Sequence, residues 1–212
     1  MTITKGALSL EQYVDVLREV GNIGIGNAVT ALATFISSKV TITVPKAALI
    51  PIEEIFRAIG NVESVVAAVV QRVEGDLSGT LVFFFPEENA FGLVGRLLGT
   101  EPGTIREIDE MGRSVLMEVG NILTGSFLTA ISGMTQLAIL CGVPMFTFDM
   151  LGSVISSSLL CTGMLEDKVL LIETEISEEE HVVSGDFVFF FDIGSLGTLL
   201  KSLGLLENAK EE

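Results

Sequence analysis

The sequence holds two carboxamides that each follow a glutamate by three positions. Asp15, Glu19 and Asn22 are spaced by four and three, and Ser114, Glu118 and Asn121 repeat that spacing. Residues at i, i+4 and i+7 share one face of a helix, so each set lines up a small acid or hydroxyl, a carboxylate and a carboxamide. A proline follows each Asn 23 positions later, as Pro45 and Pro144. A glutamate and an asparagine with no nucleophile, metal or base beside them cannot form a complete active site, but they could complete one that another protein brings. An aspartyl-phosphate on a response regulator sits beside its own Mg2+ and Lys and lacks a positioned water. A carboxamide can accept from that water and donate to a phosphoryl oxygen without bringing negative charge against the phosphate. Positioning dominates phosphoryl transfer. The glutamate could pair with the partner's lysine and set the register.

Three plainer readings compete. Glutamate on a helix is usually solvated, Asn is more often a cap than a mid-helix residue, and Gly21, Gly24 and Gly26 could end the helix. Against these, Gly in a helix costs about 1 kcal/mol relative to Ala. The costly Gly-Asn letters recur in both halves, while neighbours such as Ala28/Phe127 and Thr34/Gly133 have diverged. Retention of unfavourable residues weighs toward a functional face and leaves a structural one open; glycines would let a partner or neighbouring helix approach closely.

The motif belongs to a longer repeat. A shift of 99 positions lays Glu19-Val20-Gly21-Asn22-Ile23 on Glu118-Val119-Gly120-Asn121-Ile122, Gly26 on Gly125, Thr30-Ala31 on Thr129-Ala130, and Val44-Pro45 on Val143-Pro144. Each half (about 9–100 and 109–206) reads as a long helix, a strand, a shorter helical piece, a two-stranded hairpin and a closing helix. The opening helices run from Ser9 to about Ser38 and from Asp109 to about Gln136, with Ser9 and Asp109 as caps and kinks allowed at the glycines. Val65–Val73 with Thr80–Phe85, and Lys168–Ile176 with Gly185–Phe191, are the hairpins. The triplets Phe83-Phe84-Phe85 and Phe189-Phe190-Phe191 are strand centres in the core. Closing helices span Glu88–Leu98 and Gly194–Leu203. Gly152–Met164 reads as irregular, and residues 207–212 as a disordered acidic tail. No Gly/Ser linker separates the halves, so an α+β fold with one shared core and sheet, related by approximate twofold pseudosymmetry, is expected.

Composition excludes several functions. Asp plus Glu number 28 against 12 Lys plus Arg, for a net charge of −16. Such a surface repels nucleic-acid phosphates and anionic lipid. Val20–Ser38 and Val119–Phe148 carry no charged residue, but Asn22, Asn27, Asn121, Gln136, Gly142 and Pro144 interrupt them, so core helices rather than membrane spans are expected. Residues 1–10 have no secretory pattern. Cys141 and Cys161 read as buried free thiols in a reducing cytoplasm. With one histidine, His181, the chain cannot build a Ser/His/Asp set twice. It has neither zinc spacing nor a phosphate loop, so no metal of its own is expected.

At these residues the chain resembles the CheC phosphatase family of bacterial and archaeal chemotaxis, kin to CheX and FliY. The family pattern is Asp or Ser, three residues, Glu, two residues, Asn, twenty-two residues, Pro. Asp15, Glu19, Asn22 and Pro45 fit it once, and Ser114, Glu118, Asn121 and Pro144 fit it again. The resemblance implies two long helices packed on a shared antiparallel sheet with the Glu/Asn faces exposed. It implies hydrolysis of a phosphorylated CheY-like regulator, with Mg2+ arriving on that regulator, Asn22 and Asn121 positioning water, and Glu19 and Glu118 engaging its Lys. It also implies a possible contact with the deamidase CheD, for which Gly152–Met164 is the candidate region. The alternative is a flagellar-switch-like module that docks a regulator without hydrolysing its phosphate.

Overall fold

The computed structural model describes residues 10–36, 39–101, 103–161, 165–178 and 181–205. Ser9, the N-terminal residues before it and the acidic tail lie outside them. The first half gives α1 (Leu10–Ile36), β1 (Val40–Pro51), a 3-10 turn (Ile52–Glu54) running into α2 (Ile55–Ala58), β2 (Val65–Gly75), β3 (Gly79–Pro86) and α3 (Glu87–Leu97). The second gives α4 (Glu110–Thr135), β4 (Ile139–Cys141), β5 (Met145–Met150), α5 (Leu151–Cys161), β6 (Leu165–Glu178), β7 (His181–Asp192) and α6 (Ser195–Ser202). Asp109 caps α4 by accepting from the Gly112 N–H at 2.8 Å, and Gln136 ends it in the left-handed region.

Seven strands form one antiparallel sheet in the order β1-β6-β7-β3-β2, with β4 and β5 both along the outer edge of β2. The arrangement is palindromic about the β3–β7 ladder. Outward from that ladder each half contributes its hairpin, and then the other half's first strand closes the edge. β1 of the first half pairs with β6 of the second, and β4 and β5 of the second pair with β2 of the first. The halves therefore exchange their outer strands. The shift of 99 maps β1 onto β4 and β5 together. Where β1 carries a register shift between Thr43 and Lys46, the second copy breaks in two at Gly142-Val143-Pro144.

Side chains alternate across the pleat. Phe83, Phe85, Phe187, Phe189 and Phe191 point to the face covered by α1, α3, α4 and α6, whereas Phe84, Val188 and Phe190 point to the face covered by α2 and α5. Both faces are thus dry, which accounts for the unbroken apolar runs. The apolar α4 would be long enough to cross a membrane, but more than half of its most apolar window is buried inside the protein. It is a core helix.

Two readings of the sequence need correction. Leu151–Cys161 is a helix, because Leu151, Val154, Ile155 and Ser158 fall at helical spacing and are all buried; the serines between them hid that periodicity. Cys141 is free and exposed on the edge strand β4, not buried; the Cys161 side chain lies outside the described ones. The glycines divide by role. A Cβ on Gly24 would stand 2.8 Å from the Phe127 Cα, and one on Gly120 would stand 2.7 Å from Val69. α1 therefore meets α4 at Gly24, and α4 meets the sheet at Gly120. Gly26 and Gly125 face open space.

Two predictions follow from this packing. Gly24→Ala should destabilise the fold by about 1–3 kcal/mol, because the clash is with backbone. Gly26→Ala should stabilise it by about 0.5–1 kcal/mol through helix propensity alone. Denaturant titration of both variants checks the contrast. The second concerns Asp186, whose carboxyl is raised to about 6, chiefly by burial and then by Glu173 across the ladder, with Lys46 opposing. Its folded pKa lies above its unfolded one, so its contribution to stability is greatest below about pH 4 and is lost as pH rises toward 6. Asp186→Asn should raise the melting temperature at pH 7.5, and that gain should shrink to nothing near pH 4.

Candidate functional site

The two motif faces lie on α1 and α4, the pair of long helices that cross on one side of the sheet. Each helix runs unbroken through its Gly-Asn step because its opposite side is held by the core: Ala28 and Leu32 in α1, Leu116, Val119, Leu123 and Phe127 in α4. Burial of that stripe offsets the poor intrinsic propensity of the motif letters.

On α4, Glu118 is exposed and Asn121 is half-buried. The Ser114 hydroxyl donates back to the Glu110 carbonyl at 3.0 Å. That bond uses its proton within its own helix turn, and the exposed hydroxyl oxygen keeps its acceptor lone pairs. Asn121 is tethered through its side-chain oxygen. Its Oδ1 accepts from the Gln71 Nε2 at 3.1 Å, and the same nitrogen donates to the Gly142 carbonyl at 3.2 Å. Gly142 opens the break that contains Pro144. A proline has no N–H to give a ladder and is tolerated at sheet edges and irregularities. Here it sits where β4 stops and β5 begins.

On α1, Glu19 and Asn22 are both exposed, and neither has a hydrogen-bond or ion-pair partner among the described residues. Asp15 lies one turn earlier on the helix, but its side chain is outside the described ones. Pro45 falls within the register shift of β1, and its neighbour Val44 lies beneath Gly21, 3.6 Å from where a Cβ would be. In both halves the motif proline thus marks the strand irregularity that runs under the motif helix. A cleft of about 390 Å³ between α5 and strands β2 and β5, lined in part by Val70, Arg72, Met145 and Ser153, contains no motif residue.

The CheC-like family matches residues 14–48 and 111–147. CheC from Bacillus subtilis, named a CheY-P phosphatase, is 36% identical over 173 residues, which cover 81% of this chain and 83% of that protein. The chain belongs to the CheC-like family. Among solved structures, Thermotoga maritima FliY is similar with a TM-score of 0.76 at 19% identity, covering 94% of this chain and 98% of that one. The FliM middle domain of H. pylori follows at 0.63 and 15%, covering 92% and 99%. At these identities the likeness is one of fold alone, and it extends over nearly the whole chain.

The two matched CheC-like segments contain Asp15, Glu19, Asn22 and Pro45, and Ser114, Glu118, Asn121 and Pro144. Gln71 lies outside both. Motif spacing gave no pointer to it. Its signal in the sequence is a carboxamide inside the apolar run Val65–Val73, where a buried polar group needs a partner. Among the described residues no three His, Cys, Asp or Glu side chains gather as a metal ion would require.

Proposed function

We propose that this CheC-like protein hydrolyses the aspartyl-phosphate of a CheY-like chemotaxis response regulator in the cytoplasm. The observation that carries this reading is the duplicated Glu and Asn pair on two helices, exposed in α1 and exposed at Glu118 and half-buried at Asn121 in α4, in a chain 36% identical to a CheY-P phosphatase. The regulator brings the phosphoryl group, its Mg2+ and its Lys. Asn22 or Asn121 enters the regulator's site and orients a water in line with the phosphorus. The water oxygen bonds to phosphorus as the P–O bond to the aspartate breaks. The electron pair stays on the regulator's carboxylate, and the proton leaves with inorganic phosphate. A carboxamide suits this task because it carries both an acceptor and a donor and no charge. Glu19 or Glu118 pairs with the regulator's Lys and fixes the register of docking.

We propose that a CheD contact within the candidate region Gly152–Met164 would use the exposed side of α5. Its buried side is held by Leu151, Val154 and Ile155, which leaves Ser156, Ser157 and Leu160 exposed, Leu160 at 86%. Leu160→Asp should abolish co-purification with CheD while leaving phosphate release unchanged; unaltered co-purification would remove α5 from the interface.

The phosphatase reading is tested by following phosphate release from a phosphorylated CheY. Asn22→Ala and Asn121→Ala should each leave partial activity, and the double variant should approach the regulator's own decay rate with the fold intact, since Ala is the better helix former. The double Asn→Asp variant should be at least as inactive, because it sets negative charge beside the phosphoryl group. Glu19→Gln with Glu118→Gln should weaken docking first. Hydrolysis at the wild-type rate by the double Ala variant would remove Asn22 and Asn121 from catalysis, and no acceleration by the unmodified protein would transfer it to the binding-module class.

A further inference from the structure

Along β2, Ala67 and Val73 are buried in the core on the side of α4, and Val69 meets that helix at Gly120. Gln71 stands in the same row and is 0% exposed. A carboxamide in that position is costly unless bonded. Its Nε2 makes two bonds, to Asn121 and to Gly142, while its Oε1 has no partner among the described residues. A valine would fill the row with no orphaned oxygen.

The other half lacks this arrangement. Lys46 pairs with Glu173 and Met145 with Val70. Because 46 and 145 correspond under the shift of 99, Glu173 corresponds to Val70 and Thr174 to Gln71. Thr174 is buried too, but its hydroxyl donates to the Gly185 carbonyl within the sheet. Among the described residues, none donates a hydrogen bond to Asn22.

We propose that Gln71 is a positioning residue of the second site only. It clamps the Asn121 carboxamide from inside the sheet and ties it to the strand break at Gly142-Val143-Pro144. The inference rests on the phosphatase reading above. Held by Gln71, Oδ1 keeps one lone pair for a water, and the amide nitrogen is turned to the opposite side of the fork, toward a phosphoryl oxygen. The second site then meets the regulator with its carboxamide already oriented, whereas the first must order Asn22 on docking.

The test uses Gln71→Met, which keeps length and apolar bulk and removes the donor. In an Asn22→Ala protein, where the second site works alone, the change should lower kcat for phospho-CheY hydrolysis about tenfold, the scale of a misaligned reacting group, with KM unchanged. In an Asn121→Ala protein it should change the rate less than about twofold, since the effect should couple to Asn121. The side-chain amide signals of Asn121, assigned by their loss in Asn121→Ala, give a readout independent of turnover. They should be dispersed in the unmodified protein and collapse toward those of Asn22 in Gln71→Met. An equal loss of rate in both backgrounds, a rise in KM alone, or amide signals unmoved by the change would each overturn the proposal while leaving the phosphatase reading in place. Failure of the unmodified protein to hydrolyse phospho-CheY would overturn both the phosphatase reading and the catalytic role of the clamp.

Discussion

The ladder between β3 and β7 is the contact on which the rest of the molecule depends. Six register pairs, from Gly79 opposite Phe191 to Phe84 opposite Asp186, join the two copies of the repeat. The strands sit so close that a Cβ on Gly79 would lie 2.2 Å from the Phe190 carbonyl oxygen. Every other strand is placed by reference to that seam. The seam also carries both phenylalanine triplets, and the ring contacts of Phe83 with Phe85 and Phe187, and of Phe189 with Phe191, fill the layer between the sheet and the long helices. Each copy lends its first strand to the other, so each edge of the sheet is built from both halves. The repeat is therefore a single cooperative sheet that presents the same short chemical phrase twice.

Duplication does not make the two presentations equal. The helices keep the letters of the motif, but the edges beneath them have diverged. One edge is the twelve-residue β1 with a local irregularity, and the other is the pair β4 and β5 with a gap between them. The gap frees the Gly142 carbonyl, and a buried carboxamide reaches both it and Asn121. A difference of one residue type on an interior strand, Gln71 against Thr174, thus reaches the surface as a difference in how freely one amide turns.

Much of this was legible in the sequence, and the reasons differ by element. The repeat was visible because spacing survives divergence. The α4 start was visible because Asp109 is a capping residue before an apolar periodicity. The strands were visible from their runs of Val, Ile and Phe. The exchange of outer strands was not, since register between segments tens of residues or more apart leaves no local trace. α5 was obscured because Ser and Gly lower helix propensity, and burial of Leu151, Val154 and Ile155 overrode it. Of the candidate site, the Glu and Asn positions could be read from their spacing. The Gln71 contact could not, because the two partners lie fifty positions apart and only the fold brings them together.

The motif prolines have a consequence unrelated to phosphate. Among the described residues, Pro45 lies within β1 and Pro144 between β4 and β5, at the two rims of the sheet. An open rim offers unpaired N–H and C=O groups to any neighbouring chain, a template for pairing rim to rim. Proline withholds one of those N–H groups, and the irregularity around it throws the remainder out of step. The same letters that mark the motif thus stand where a bare strand edge would be most open to pairing with a neighbouring chain.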